Sequence, residues 1–444
     1  MKHRIIWFLL AVGLLLVLPA CGERQQPKIR TLIYANLTED GVNRAAVEAF
    51  NQNHEDIRIE VRDYFDEDGF SGKQRLLTEI AAGNIPDIID LGRKSSLEYL
   101  LPYKLLAKKG FLEDLWPYIE NDSDLGRESL LEAPLKAAEV DGGLYVAFNR
   151  VAIHTLAGRE DIVGNRYGWT LDDLQEAFST MPEESSILPF YTTKSSAFFD
   201  MFSASLDKYV NWETGACSFD SEGFRSDLVF VNSFPDDVEI DTVLPRESLS
   251  DEMFARMYHG QQMLFDPFIN TPHDIQLLDR CFGQESISLV GYPTSDGKPG
   301  SYFVVYGNTL AISSTCQDKE AAWEFLRRLF LPQYANDYVY KNNRGQGFPI
   351  NLSDYDRMKR YVTGRMEGVT FSKDPADFPH RATEEQVKRF EDLINHVNRI
   401  ALGDKEIYNI VYEVTSAYFA GDLTLDQAVD RIQNRVSLYV NESR

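Results

Sequence analysis

Cys21 has the most specific chemical setting in this chain. Lys2, His3 and Arg4 precede an apolar run from Ile5 to Leu18, and the run closes on Leu18-Pro19-Ala20-Cys21. The run falls short of the roughly 20 residues that cross a bilayer core, but it suits the apolar region of a cleaved export signal. Leu, Pro and Ala before Cys resemble a bacterial lipobox, in which the Cys is diacylated and becomes the new N-terminus. Residues 1–20 therefore read as a signal peptide and residues 21–28 as a lipidated N-terminus and linker. An ordinary signal peptide that ends near a Cys is the alternative. A lipidated Cys21 would tether an exported chain to the outer face of the cytoplasmic membrane, because two or more acyl chains hold firmly where one does not.

Catalytic constellations are not signalled. The chain has no His-Glu-x-x-His, no Gly-x-Ser-x-Gly, no P-loop and no Gly-x-Gly-x-x-Gly. Asp66-Glu67-Asp68-Gly69 has calcium-loop composition, yet an EF-hand register puts Tyr64 at the first ligand position and Arg75 at the last. Cys217, Cys281 and Cys316 follow no metal-ligand spacing and read as three scattered buried thiols, with one bridged pair as the alternative. The expectation is a non-enzyme without cofactor or metal. A surface glycan hydrolase stays open as an alternative, because 69 carboxylates guarantee chance pairs.

The elements that must position any site begin with alternating strand and helix patterns. Thr31 to Ala35 is a short apolar run, Ala46, Val47 and Phe50 recur at helical spacing, and Ile57, Ile59 and Val61 alternate with charged residues. Leu76, Leu77, Ile80 and Ala81 return to helical spacing, Gly83 stops that helix, and Pro86 to Leu91 reads as the next strand. This order predicts a mainly parallel sheet covered by helices, with ligand at the carboxyl ends of its strands. Asn36 and the stretch Asp90 to Arg93 fall at such ends. Thr309 to Ile312 and a following helix could complete the same sheet. Residues 151–301 are richer in aromatics, Pro and Ser and read as a second lobe. C-terminal helices are predicted over 384–402, 407–419 and 424–439, with Leu425, Val429, Ile432 and Val436 as a stripe that must pack. A formal charge of −24 argues against nucleic acid and favours a neutral or cationic ligand.

Several separated stretches together resemble the extracellular solute-binding proteins of family 1, the maltodextrin-binding type that feeds ABC importers. They are Ala49-Phe50-Asn51 before Ile57 to Val61; Ile80-Ala81-Ala82-Gly83-Asn84-Ile85-Pro86-Asp87-Ile88-Ile89; and Asp141 to Ala147, followed by Phe148 where the family usually has Pro. Gly168-Trp169-Thr170-Leu171-Asp172-Asp173-Leu174, Ala321 to Leu326, Gly345 to Ile350 and the tail Tyr418 to Val436 continue the resemblance. It implies an α/β, two-lobed periplasmic-binding-protein-like (type II) fold with hinge crossings and an α-helical C-terminal segment. One lobe would be 29–148 plus 307–348 and the other 149–306 plus 349–444. For Trp169, which precedes the Thr170 to Asp173 capping box, a structural role outweighs sugar stacking.

The resemblance implies a carbohydrate ligand, ABC permease subunits as partners and a monomer that captures without chemistry. A pyranose is held by flat aromatic faces and by planar side chains that hydrogen-bond its hydroxyls. Trp212, Phe268, Tyr292 and Tyr302, with Tyr34 at the edge, are the stacking candidates. Asn36, Asp90, Arg93, Asp266 and Arg344 are the hydrogen-bonding candidates. A peptide or a polyamine remains the rival ligand. A polyamine would require several carboxylates and aromatics converging on a narrow cleft.

Overall fold

The computed structural model describes residues 29–37, 41–65, 71–93, 101–212, 214–237, 246–283, 286–332, 347–364, 381–401 and 404–442. The signal-like segment, Cys21 and Arg344 lie outside these residues. The first sheet contains β1 (Arg30–Asn36), β2 (Ile57–Asp63) and β3 (Ile88–Arg93). β1 pairs in parallel with β2 from Arg30 opposite Ile57 to Asn36 opposite Asp63, and with β3 at Tyr34 and Ala35. Parallel strands covered on both faces bury both side-chain sets, and β1 accordingly buries Tyr34, Ala35 and Asn36 in succession. Helices Gly41–Asn53 and Ser71–Ala81 make the crossovers. The second ends at Gly83, whose φ of +82° lets Gly83 and Asn84 return amide bonds to Ile80 and Glu79.

From this sheet the chain passes to β4 (Arg150–His154), β5 (Ala157–Arg159), β6 (Leu264–Phe265), β7 (Phe268–Ile269), β8 (Ile287–Ser288) and β9 (Tyr302–Tyr306). It returns as β10 (Asn308–Ile312), which pairs antiparallel with β3, and later re-enters as β11 (Phe348–Pro349) on β4. The spatial orders are β10-β3-β1-β2 in the first sheet, β9-β4-β11 with β7 also on β4 in the second, and β8-β5-β6 in the third. Gly307 at φ +88° and Gly347 at φ +74° sit where the chain changes sheet. A Cβ at Gly347 would stand 2.5 Å from the Val151 carbonyl oxygen, so this approach tolerates only hydrogen. The larger apolar core is continuous through these passages, from Tyr34 and Phe325 through Val151 and Phe303 to Phe348 and Phe390.

A second core gathers Trp169, Phe198, Phe219, Phe224 and Leu228 with Val429, Ile432 and Val436, so the predicted C-terminal stripe packs. Gln433 adds a polar clasp there, accepting from the Phe219 amide at 2.8 Å and donating to the Cys217 carbonyl at 2.9 Å. The C-terminal helices are Glu384–His396, Lys405–Phe419 and Leu425–Glu442. The first stops six residues before the predicted 402. Beyond it, the Phe303 amide donates to the Arg399 carbonyl at 2.8 Å and the Ala401 amide to the Phe303 carbonyl at 2.7 Å, and this pairing with β9 replaces continued helix. No helix among the described residues is long and apolar enough to cross a membrane.

One ion pair ties parts of the chain that are distant in sequence. Arg327 donates to both Asp122 oxygens at 2.6 and 2.7 Å, and Trp323 Nε1 adds a third bond at 3.0 Å. Burial disfavours ionised Asp122, yet the bonds from Arg327, the Asp124 backbone and Trp323 hold its carboxyl below the usual range. Asp122→Ala would leave Arg327 only its contacts with the more exposed Asp124 and Glu324, at 2.7 and 3.9 Å, and by the loss of charged hydrogen bonds is expected to destabilise by about 2 kcal/mol at neutral pH, read by urea unfolding. A carboxylate with a depressed folded pKa contributes fully above its unfolded pKa and loses its contribution as pH falls through the folded one. The gap between wild type and variant should therefore shrink only in strong acid.

Candidate functional site

β4 carries His154 at its end, and the strand register places a ring on each side of it. Phe268 of β7 and Tyr302 of β9 both pair directly with His154. Directly opposed residues project to the same face of a sheet, so three rings from distant parts of the sequence stand in a row. Phe268 stacks on the imidazole at 4.1 Å with the planes 1° apart, and Tyr302 meets it edge-on at 5.3 Å. The Tyr302 hydroxyl and His154 Nδ1 lie 2.5 Å apart. Burial pushes the Tyr302 phenol above its ordinary range, which keeps it a donor. Donation to Nδ1 leaves the ring proton on Nε2, the nitrogen that faces Asp266 at 3.9 Å.

Tyr292 closes the group from behind, stacked on Tyr302 at 5.5 Å and set against His154 at 5.5 Å. Its neighbourhood is built by backbone contact. Trp169 is buried and donates Nε1 to the Gly291 carbonyl at 2.8 Å, which gives Trp169 a structural task beside the cluster. The Thr170 capping box forms as the sequence indicates. Arg399 donates to the Gly300 carbonyl at 2.8 Å and lies 5.8 Å over the Tyr302 ring. The irregular stretch after helix 384–396 therefore braces the site.

Phe268 is 40% exposed, with one face stacked on His154. Two carboxylates belong to the same neighbourhood, Asp266 facing His154 and acting electrostatically on Asp200. Asp266 follows β6, and Asp200 lies on the helix Lys194–Phe202. Burial raises the proton affinity of both carboxyls, and the charge of Asp266 raises that of Asp200 further. Burial, and then both carboxylates, also push Tyr191 upward. The site thus combines a partly exposed flat ring, neutral phenols and two partly exposed acids that burial biases toward the protonated form. Among the described residues no group of three or more His, Cys, Asp or Glu could hold a metal ion.

The candidates of the sequence fall into three places. Asp266, Phe268, Tyr292 and Tyr302 come together as described. Tyr34, Asn36 and Asp90 come together in the first sheet, where all three are closed from solvent in this conformation. The Tyr34 hydroxyl donates to Asp90 at 3.1 Å, Asp90 also accepts from the Gly92 amide at 2.9 Å, and Asn36 donates to Asp63 at 2.9 Å. These bonds tie neighbouring strand ends and the irregular pairing of β3 with β10. The Arg93 backbone pairs with Asn308 beside the passage to the second sheet, while its side chain lies outside the description. Trp212 stands apart, edge-on to Tyr439 at 6.3 Å, on a groove of about 590 Å³ also lined by Lys104, Lys108, Asp141 and Asp207. Lys104 and Asp207 bridge that groove at 3.1 Å. His154, Asp200 and Tyr191 were missed. Their signal was a polar residue ending or interrupting an apolar run, as in Val151-Ala152-Ile153-His154 and Phe198-Phe199-Asp200-Met201-Phe202.

No known family model matches the chain, and neither does any curated protein. Solved structures do match over nearly all of it. The sugar-binding protein MalE from Xanthomonas citri is 16% identical, with 93% of this chain and 98% of that one covered at a TM-score of 0.53. The chain has its two-lobed α/β fold. An ABC transporter solute-binding protein from Agrobacterium vitis S4, solved with bound D-mannitol, is 18% identical, covering 93% and 99% at a TM-score of 0.50. A de novo designed cysteine esterase shares the fold at 13% identity, covering 94% and 100% with a TM-score of 0.52. The chain passes between the first and second sheets near 147–150, 306–308 and 347–349, and β4, β9 and the ring cluster belong to the second sheet.

Proposed function

We propose that this chain is the substrate-binding protein of an ABC importer and that it captures a carbohydrate, most simply an oligosaccharide, in a cleft between lobes 29–148 plus 307–348 and 149–306 plus 349–444. The observation that carries this reading is the half-exposed Phe268 ring stacked on His154, with Asp266 and Tyr302 on the same imidazole. An aromatic platform with hydrogen-bonding groups at its rim suits the C–H face and hydroxyls of a pyranose. Two proteins of the same fold, one named for sugar binding and one holding D-mannitol, support it. Ligand contacts to both lobes favour a closed form by differential affinity, and closure is what a permease would recognise. A micromolar affinity, about 8 kcal/mol, lies within reach of one stacked ring and several hydrogen bonds. The protein acts as an exported monomer, tethered through Cys21 to the outer face of the cytoplasmic membrane.

The reading is a receptor without turnover. Cys217, Cys281 and Cys316 are free thiols, and burial raises the pKa of each, that of Cys316 to about 12. A nucleophilic Cys needs the opposite shift. The test is a thermal-shift screen of the chain begun at Cys21 against mono- and oligosaccharides, amino acids, peptides and polyamines, since a ligand that prefers the native state raises its apparent stability. A saturable shift with a glycan that is recovered intact is the expected result. Recovery of a cleaved glycan would make the protein a hydrolase. A shift with peptides alone would retain the fold and overturn the carbohydrate.

A further inference from the structure

Lys104 Nζ donates to the Asp207 carboxylate at 3.1 Å, and the two residues sit on elements that belong to different cores. Lys104 lies on helix Tyr103–Lys108, which buries Tyr103 and Leu106 in the larger core. The Tyr103 hydroxyl fixes that helix further by donating to the Ala138 carbonyl at 3.1 Å. Asp207 lies on the short helix Ser203–Tyr209, which buries Leu206 and Tyr209 in the second core. There the Tyr209 hydroxyl donates to Asp227 at 3.0 Å, and Lys208 meets the same carboxylate at 3.6 Å. Lys208 is thus paired within its own body, while Asp207 reaches across to Lys104.

A second observation is independent of the charges. Leu105 is buried, yet it lines a cavity of about 50 Å³ whose other walls include Ala204, Trp212, Ile407 and Tyr408. The groove of about 590 Å³ is likewise lined from both bodies, by Lys108, Glu139 and Asp141 and by Asp207 and Trp212. Protein interiors leave few spaces larger than a water molecule, so the two bodies meet along this edge in a seam and not in a shared core.

We infer that Lys104 and Asp207 form a latch that holds the two lobes together along this edge in the absence of ligand. The inference rests on the lobe division proposed above, which puts residue 104 in one lobe and residue 207 in the other. The two side chains are 34% and 41% exposed, so the bridge has the strength of a surface ion pair and shifts the ratio of closed to open forms by about two- to fivefold. A latch of that strength biases the equilibrium without locking it, as a receptor that must open again requires. Ligand affinity gains by at most the same factor, through the population of the competent form and without either residue touching the ligand.

The protein carries its own reporter. Loss of Trp7 with the export signal leaves Trp116, Trp169 and Trp323, which are buried, and the half-buried Trp212, which lines the spaces on both sides of the bridge. The experiment is acrylamide quenching of tryptophan fluorescence, together with small-angle scattering, on the ligand-free chain begun at Cys21. Lys104→Met keeps the apolar stem and removes the charge, and Asp207→Asn removes the other charge at constant size. Each should raise both the quenching constant and the radius of gyration at low salt, the double variant should exceed neither single one, and Lys104→Arg should stay at wild-type values. High salt should bring the wild type towards the variants, because it screens exposed charges. Wild-type readings in both single variants, additive effects in the double variant, or more quenching at an unchanged radius of gyration would each overturn the latch. None of these readings involves a ligand, so the carbohydrate reading is decided separately by the glycan screen.

Discussion

Gly300→Ala is expected to destabilise the protein by about 3 kcal/mol and to weaken ligand binding at least tenfold. A Cβ at residue 300 would lie 1.8 Å from the Tyr292 carbonyl oxygen, 2.7 Å from its carbonyl carbon and 2.9 Å from its amide nitrogen. All three are backbone atoms and cannot rotate away, so the two segments must separate. Forced expansion of a packed region costs 1–3 kcal/mol or more. The separation would also pull apart the Tyr292 and Tyr302 rings, now 5.5 Å apart, and disturb the Arg399 bond to the Gly300 carbonyl. Gly223→Ala is the control, since its Cβ would meet nothing nearer than 4.0 Å and it lies within helix Glu222–Val231. That change should be neutral or mildly stabilising. Urea unfolding and calorimetry of both variants decide the matter, and wild-type values for Gly300→Ala would refute this account of how the site is held.

Phe268→Ala is expected to lower ligand affinity 10- to 100-fold while moving the unfolding midpoint little. The ring is 40% exposed, so most of its loss is felt by whatever stacks on it rather than by the core. Residues that dominate binding are aromatic anchors at the centre of a desolvated patch, and their truncation costs about 2 kcal/mol or more. Phe268→Trp, which keeps a flat face on His154, should restore most of the affinity. Unchanged affinity in the alanine variant would move the ligand away from β7, and the groove beside Trp212 would be the next place to probe.

The strands that carry the rings are tied by further hydrogen bonds. Thr155 and Ser301 share a hydrogen bond of 2.7 Å beside Tyr302. Asn270 accepts from the Gly347 amide at 2.9 Å, and Arg150 donates to the Gly347 carbonyl at 2.5 Å, close to the strand that carries the rings. Poorly solvated carboxylates strain a site only if their supports do not yield. Backbone-directed bonds from Arg399, Trp169 and Arg150 are the kind of support that does not.

By itself the sequence determined what is local. Alternation in Ile57, Ile59 and Val61, helical spacing in Leu76, Leu77 and Ile80, and the stop at Gly83 each depend on a few neighbouring residues, and each element forms where those residues put it. The Thr170 to Asp173 capping box and the Leu425 to Val436 stripe were legible for the same reason. Only the tertiary structure decided which candidates meet. Tyr34, Asn36 and Asp90 lie at strand ends as the pattern required, yet neighbouring strands supply Tyr34 as the partner of Asp90 and Asp63 as that of Asn36, and no local pattern specifies that exchange of bonds. His154, Phe268 and Tyr302 become a stack through the register of three strands far apart in sequence. Asp200 and Asp266, far apart in sequence, come within electrostatic reach of each other only in the folded chain. Even the premature end of helix 384–396 follows from a long-range choice, the pairing of Arg399 and Ala401 with Phe303. Periodicity records how one segment divides its surface between core and solvent; proximity between segments is set by packing, where many weak long-range contacts are settled together.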